Sequence, residues 1–117
     1  MAIGIPEVDE GIFKDLMDGD EDMFKTVLST FVDKTPGSLA KLANPTKETL
    51  ADYAILVHGV KGACASVCAE EARKKAFSLE QKARAGDLAG VQSENAPFLK
   101  YMENLLAKFN DWLKNQH

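Results

Sequence analysis

The sequence predicts an all-α protein, an antiparallel four-helix bundle with a short additional helix at its N-terminus. Three observations carry this. Apolar residues recur at steps of three and four along the chain, with no sustained alternation at two. Punctuation is sparse: four Pro and eight Gly in 117 residues, with no repeat and no low-complexity tract. Hydrophobic residues make up 45% and charged residues 27%, a balance that argues for a folded core and against disorder. The length suits one domain spanning 1–117.

The elements follow in order. Ile12, Phe13, Leu16 and Met17 mark the short first helix. Asp20, Glu21 and Asp22 put negative charge where the next helix begins, and Met23, Phe24, Val27, Leu28, Phe31 and Val32 form its stripe. Leu39 and Leu42 follow Thr35-Pro36-Gly37. Pro36, and later Pro97, lie inside periodic stretches, so each predicts a kink or a break. Asn44-Pro45-Thr46 is another break, with Asn44 or Thr46 as the expected cap and Glu48 in the first turn. A full capping box is not expected there, because Thr49 stands where the box wants Glu or Gln.

Leu50, Tyr53, Val57, Val60, Cys64 and Val67 make the next stripe. Ala69, Ala72, Ala76, Leu79 and Ala83 continue the rhythm until Gly86-Asp87 interrupts it. Asp87 is placed to cap the last helix, whose stripe is Leu88, Val91, Asn95, Phe98, Met102, Leu105, Phe109 and Trp112. Short connections predict antiparallel neighbours. Burial is expected for Phe24, Phe31, Phe98, Met102, Phe109 and Trp112.

Charge and cysteine content narrow the function. Fourteen Lys and Arg against 18 Asp and Glu give a formal net charge of -4, which disfavours nucleic acid as a partner. Met1-Ala2-Ile3-Gly4-Ile5-Pro6 has no basic stretch before an apolar core, so no signal peptide is expected. No apolar run approaches the roughly 18 residues of a membrane span. The two cysteines read as reduced thiols of a cytoplasmic protein, and a monomer is expected.

One segment does not read as scaffold. From Tyr53 to Ala69 the only charged residue is Lys61, and the other titratable groups are Tyr53, His58 and two thiols. Stepping roughly 100° per residue from the Leu50–Val57–Cys64 stripe puts His58 about 130° away, on the solvent side. Lys61 at i+3 and Gly62 at i+4 are its surface neighbours, and Ala51, Ile55, Gly59, Ala65 and Ser66 complete the face. An exposed helix face ordinarily carries Glu, Lys, Gln and Arg. Two glycines inside a helix cost about 1 kcal/mol each relative to Ala. A smooth surface around one histidine suits a large partner that must bring its own atoms to the imidazole. The plainer alternative is a core histidine, with close helix packing explaining the glycines.

His58-Gly59-Val60-Lys61-Gly62-Ala63 resembles the H-x-x-K-G signature of histidine-containing phosphotransfer (HPt) domains, and Ala69 to Glu80 resembles the helix that follows it. The resemblance covers essentially the whole chain, including the proline in the second helix and the Ala83-Arg84-Ala85-Gly86-Asp87 break. Two positions depart from the pattern. Ala63 stands where a small polar residue is common, and Cys68 where glycine is usual at the turn.

The resemblance implies a phosphocarrier in a two-component phosphorelay. His58 would exchange a phosphoryl group with an aspartate of a receiver domain, in a response regulator or a hybrid histidine kinase. Imidazole titrates near neutrality, so one ring nitrogen carries a lone pair for attack. Lys61 would offset charge on the phosphoryl oxygens in a loose, in-line transition state. Gly62 would leave room for the phosphoryl group and the receiver. Glu80 takes the position from which some family members hydrogen-bond the imidazole, fixing its tautomer. The plainer readings are a solvated lysine for Lys61 and, for Glu80, a surface charge like Glu70, Glu71 and Lys82. The receiver would approach over Ile55, Gly59, Gly62, Ala65 and Ser66, with an apolar patch of Ile12, Phe13, Leu16 or Met17 beside them.

No G-x-x-x-x-G-K-[ST] occurs, so no ATP site and no kinase activity are expected. No cofactor is expected on this chain, and the Mg²⁺ of the reaction belongs to the receiver. Cys64 and Cys68, four residues apart, suggest a metal site, but zinc wants about four converging ligands and His58 points away from Cys64. They read as packing, and no metal is expected. His117 reads as a frayed end. The competing function is a helical-bundle adaptor that binds a signalling partner with His58 unphosphorylated.

Overall fold

Each helix starts and stops for a local reason. The computed structural model describes residues 3–116 and contains, among them, five helices and no strand. They are α1 (Glu10–Met17), α2 (Glu21–Ala40), α3 (Leu50–Ser66), α4 (Glu70–Arg84) and α5 (Leu88–Lys114). Asp9, Asp20 and Asp87 cap α1, α2 and α5, their carboxylates accepting from the backbone N–H groups of Ile12, Met23 and Gly90 at 2.9–3.1 Å. Glu70 and Glu71 open α4 and Lys82 and Arg84 close it, each sign matching the helix dipole.

Three local expectations need correction. Of the kink or break expected at Pro36 and Pro97, the break does not occur: α2 and α5 run through both. Both prolines are exposed, so water can serve the carbonyl that loses its N–H partner. The expected start at Asn44 or Thr46 gives a single turn, and α3 begins only at Leu50. That turn does contain a reciprocal box. Thr49 N–H donates to Thr46 Oγ1 at 3.2 Å and Thr46 N–H donates to Thr49 Oγ1 at 2.9 Å, a hydroxyl doing what Glu or Gln does elsewhere. Trp112 is half-buried rather than buried, with its indole N–H donating to the Ile3 carbonyl at 2.9 Å.

The stripes meet in one core. Phe24, Leu28, Phe31, Val57, Phe98, Met102 and Phe109 are buried, each such side chain worth roughly 1.5–3 kcal/mol of transfer free energy. Phe24 is packed edge-on between Phe13 and Trp112, at centroid distances of 5.4 and 5.5 Å. Met23, counted with that stripe in the sequence, is exposed instead. The buried polar residue Asn95 joins three segments. It accepts from the Tyr53 hydroxyl at 2.7 Å and donates to the Leu42 carbonyl at 2.9 Å. Burial, then the charge of Glu94, pushes the Tyr53 hydroxyl above its ordinary range, which keeps it a donor. Among the described residues no helix is long and apolar enough to cross a membrane.

Two features position the helix that carries His58. The residues that α4 buries are mostly alanines, Ala72, Ala76 and Ala83, so α3 and α4 pack with little side chain between them. The turn between them closes with Cys68 in the left-handed region, φ 60°. Ala69 N–H returns to the Cys64 carbonyl at 3.0 Å and Cys68 N–H to the Ala65 carbonyl at 3.1 Å, a Schellman end without its usual glycine. The Cys68 carbonyl in turn accepts from Asp9 N–H at 2.8 Å, fastening the start of α1 to the end of α3.

Candidate functional site

His58 lies in the middle of α3 with 58% of its side chain exposed. Ile55, Gly59, Gly62, Ala65 and Ser66 are exposed on the same helix. The glycines are not there for packing. A Cβ built on Gly59 or Gly62 meets nothing within 4 Å. Close helix packing is therefore not what keeps these positions small. Gly59→Ala is expected to raise stability by roughly 0.5–1 kcal/mol in chemical denaturation, the propensity difference at an exposed helical position.

The side chain that meets His58 comes from α4. Glu80 is buried, 5% exposed, and its Oε2 accepts from His58 Nδ1 at 2.8 Å. The same oxygen accepts from Arg84 Nε at 3.0 Å. Lys61 Nζ stands 2.7 Å from Oε1, a close ionic contact and not an aligned hydrogen bond. Glu80 is thus no surface charge like Glu71. Three cationic or proton-bearing groups from two helices converge on its carboxylate.

Burial alone would raise the Glu80 carboxyl; the opposing pull of Lys61, His58 and Arg84 holds it at about 2. It is therefore ionised at neutral pH and can only accept. The proton of a neutral His58 ring then sits on Nδ1, which leaves the Nε2 lone pair free. Because the folded value lies below the ordinary one, the contribution of Glu80 to stability is present above the ordinary value and fades as pH falls through the folded one. Wild type and Glu80→Gln are expected to converge in denaturation midpoint as the pH drops from about 5 to about 2. Parallel curves over that range would mean that the ion cluster is not formed in solution.

Lys61 is not the solvated lysine of the plainer reading. Its side chain is 22% exposed, held between Glu80 and the ring of Phe77, whose centroid is 5.1 Å from Nζ. Two residues of this cluster, Arg84 and Phe77, were not singled out in the sequence. A signal existed: Phe77, Glu80 and Arg84 fall at i, i+3 and i+7 on α4, and Glu80–Arg84 is an i,i+4 pair.

No protein-family model, curated protein or solved structure matches this chain.

The thiols stand apart from it. Cys64 and Cys68 are buried, and burial pushes the Cys64 thiol up to about 12, which keeps it protonated and unreactive. The apolar patch expected from α1 is corrected. Phe13 and Met17 belong to the core, Ile12 is half-buried, and only Leu16 is exposed. The concave apolar surface bordering the site comes from α2 instead. A groove of about 310 Å³ runs between Val27, Thr30, Phe31 and Lys34 of α2 and Gly59 and Ala63 of α3. His117 lies outside the described residues.

Proposed function

We propose that the chain is a histidine phosphotransfer protein whose His58 exchanges a phosphoryl group with an aspartate of a receiver domain. One observation carries the reading: an exposed imidazole whose Nδ1 is held at 2.8 Å by a buried carboxylate, on a helix whose exposed positions Gly59, Gly62, Ala65 and Ser66 are all small. A histidine kept only for packing would have neither the exposure nor the open glycine surface. The fold fits the same reading. α2 packs on α3 and α5, and α4 packs on α3 and α5, which supports a closed four-helix arrangement with α1 as the short additional helix. Glu80 meets His58 and Phe77 meets Lys61, so the order runs in opposite senses along α3 and α4, as in antiparallel neighbours.

The chemistry follows atom by atom. The Nε2 lone pair attacks the phosphorus of the receiver's aspartyl phosphate. The new N–P bond forms as the acyl P–O bond breaks, and the electron pair leaves with the aspartate carboxylate. The ring gains positive charge while its proton stays on Nδ1. Glu80, 2.8 Å away and already ionised, offsets that charge. Lys61 and Arg84 supply positive charge beside the incoming phosphoryl oxygens. Reversal of the same step returns the group to a carboxylate, so the direction is set by the partner. Gly59, Gly62, Ala65 and Ser66 allow the in-line approach, and the α2–α3 groove offers the receiver an apolar foothold next to it.

The test is incubation with a phosphorylated receiver. The expected product is a phosphate on Nε2 of His58 that is labile in acid and stable in base. Phosphate found only on a hydroxyl or carboxylate, or none at all, would favour the unphosphorylated adaptor.

A further inference from the structure

Phe77 is an unexplained surface residue. It is 41% exposed, whereas the positions on α4 that face the core are filled mainly by alanines. Its ring is not needed for the interior. What the ring does touch is Lys61, whose ammonium lies 5.1 Å from its centroid while contacting Glu80 Oε1 at 2.7 Å. A lysine has four rotatable bonds, and one carboxylate contact at its tip leaves the stem free to rearrange. Two anchors of different kinds restrict it far more: the Glu80 carboxylate contacts the ammonium and the Phe77 ring face lies against it from the side.

We infer that Phe77 is a positioning residue for His58 phosphorylation, holding the Lys61 ammonium at a fixed place beside the imidazole. This rests on the phosphocarrier reading. A lysine left free would spread its ammonium over many positions, few of them beside the imidazole. Held between Glu80 and Phe77, it has little ordering left to lose in the transition state. Phe77 itself touches no reacting atom. Its effect must pass entirely through Lys61.

That last property makes the inference testable on the full chain, without knowing the receiver. Phosphoramidate serves as the donor. Nε2 of His58 attacks its phosphorus, the donor P–N bond breaks, and the leaving nitrogen takes a proton from water and departs as ammonia. Phosphohistidine is followed by ³¹P NMR. Phe77→Leu is expected to slow uptake about two- to fivefold, the span of an exposed cation–π contact. Phe77→Tyr is expected to restore the rate. In a Lys61→Ala background, Phe77→Leu is expected to change nothing further.

A spectroscopic arm needs no phosphoryl chemistry. The ε-methylene protons of Lys61 are expected upfield under the ring current in wild type and Phe77→Tyr, and at ordinary positions in Phe77→Leu. Absence of that shift in wild type overturns the placement of Lys61. A slowing by Phe77→Leu that persists in full without Lys61, or no slowing at all, overturns the positioning role. If the ring shift is present but wild-type His58 takes up no phosphoryl group, the phosphocarrier reading falls and takes the rate role of Phe77 with it.

Discussion

His58→Gln is expected to abolish phosphoryl uptake and leave the fold intact. Glutamine has no ring nitrogen with a free lone pair, so the N–P bond has no atom to form on. The side chain is 58% exposed, and substitutions at such positions usually change stability by less than about 0.5 kcal/mol. Lys61 and Arg84 still hold Glu80 when the imidazole is gone, so the buried carboxylate is not left unpaired. The chain has only one other histidine, His117, and His117→Gln is the matching control. Uptake lost in the first variant and kept in the second, with equal denaturation curves, is the expected pair of results. Acid-labile phosphate on His58→Gln would refute the assignment.

Gly62→Gln is expected to block transfer from a receiver while sparing uptake from phosphoramidate. Nothing in the protein lies within 4 Å of a Cβ at this position, so the new side chain meets no internal resistance. It projects into the space a receiver must enter, one helical turn from His58. In-line transfer needs the aspartate within a few Å of Nε2, and a few Å of displacement removes the near-attack geometry. A small donor has no such footprint. The same change removes a helical glycine, so stability is expected to rise by roughly 0.5–1 kcal/mol. Slower receiver transfer in a more stable protein would separate docking from folding. Receiver transfer at the wild-type rate would place the partner on another face, even with His58 as the phosphorylated residue.

Lys61→Ala is distinguished from both. It leaves the surface open but removes charge near the phosphoryl oxygens, so its cost belongs in the rate at saturation and not in receiver affinity.

The helical class and the side of α3 on which His58 lies follow from the sequence, because both depend on period alone. Apolar residues at three and four set the buried stripe, and the angle between positions on one helix is fixed by backbone geometry. The cap at Asp87 was legible from its place after Gly86, whereas Asp20, read only as one of three charges opening α2, proves to be that helix's cap. The turn at Thr46 was less legible. A Thr46–Thr49 hydroxyl pair satisfies the same backbone donors as the expected acid or amide, and the chain pattern alone does not distinguish it.

What lay between helices was decided by tertiary structure. Glu70, Glu71 and Glu80 are alike as letters on α4, yet only Glu80 is buried. The difference comes from α3. Small residues on α4 let the two helices approach until Glu80 falls opposite His58 and Lys61, and a carboxylate enclosed there stays charged because cations surround it. Arg84 and Phe77 acquire their places in the same way, from the helix across the gap. A periodic sequence tells which way each residue of one helix points, whereas the identity of its neighbour on the next helix depends on how closely and in what register the two pack.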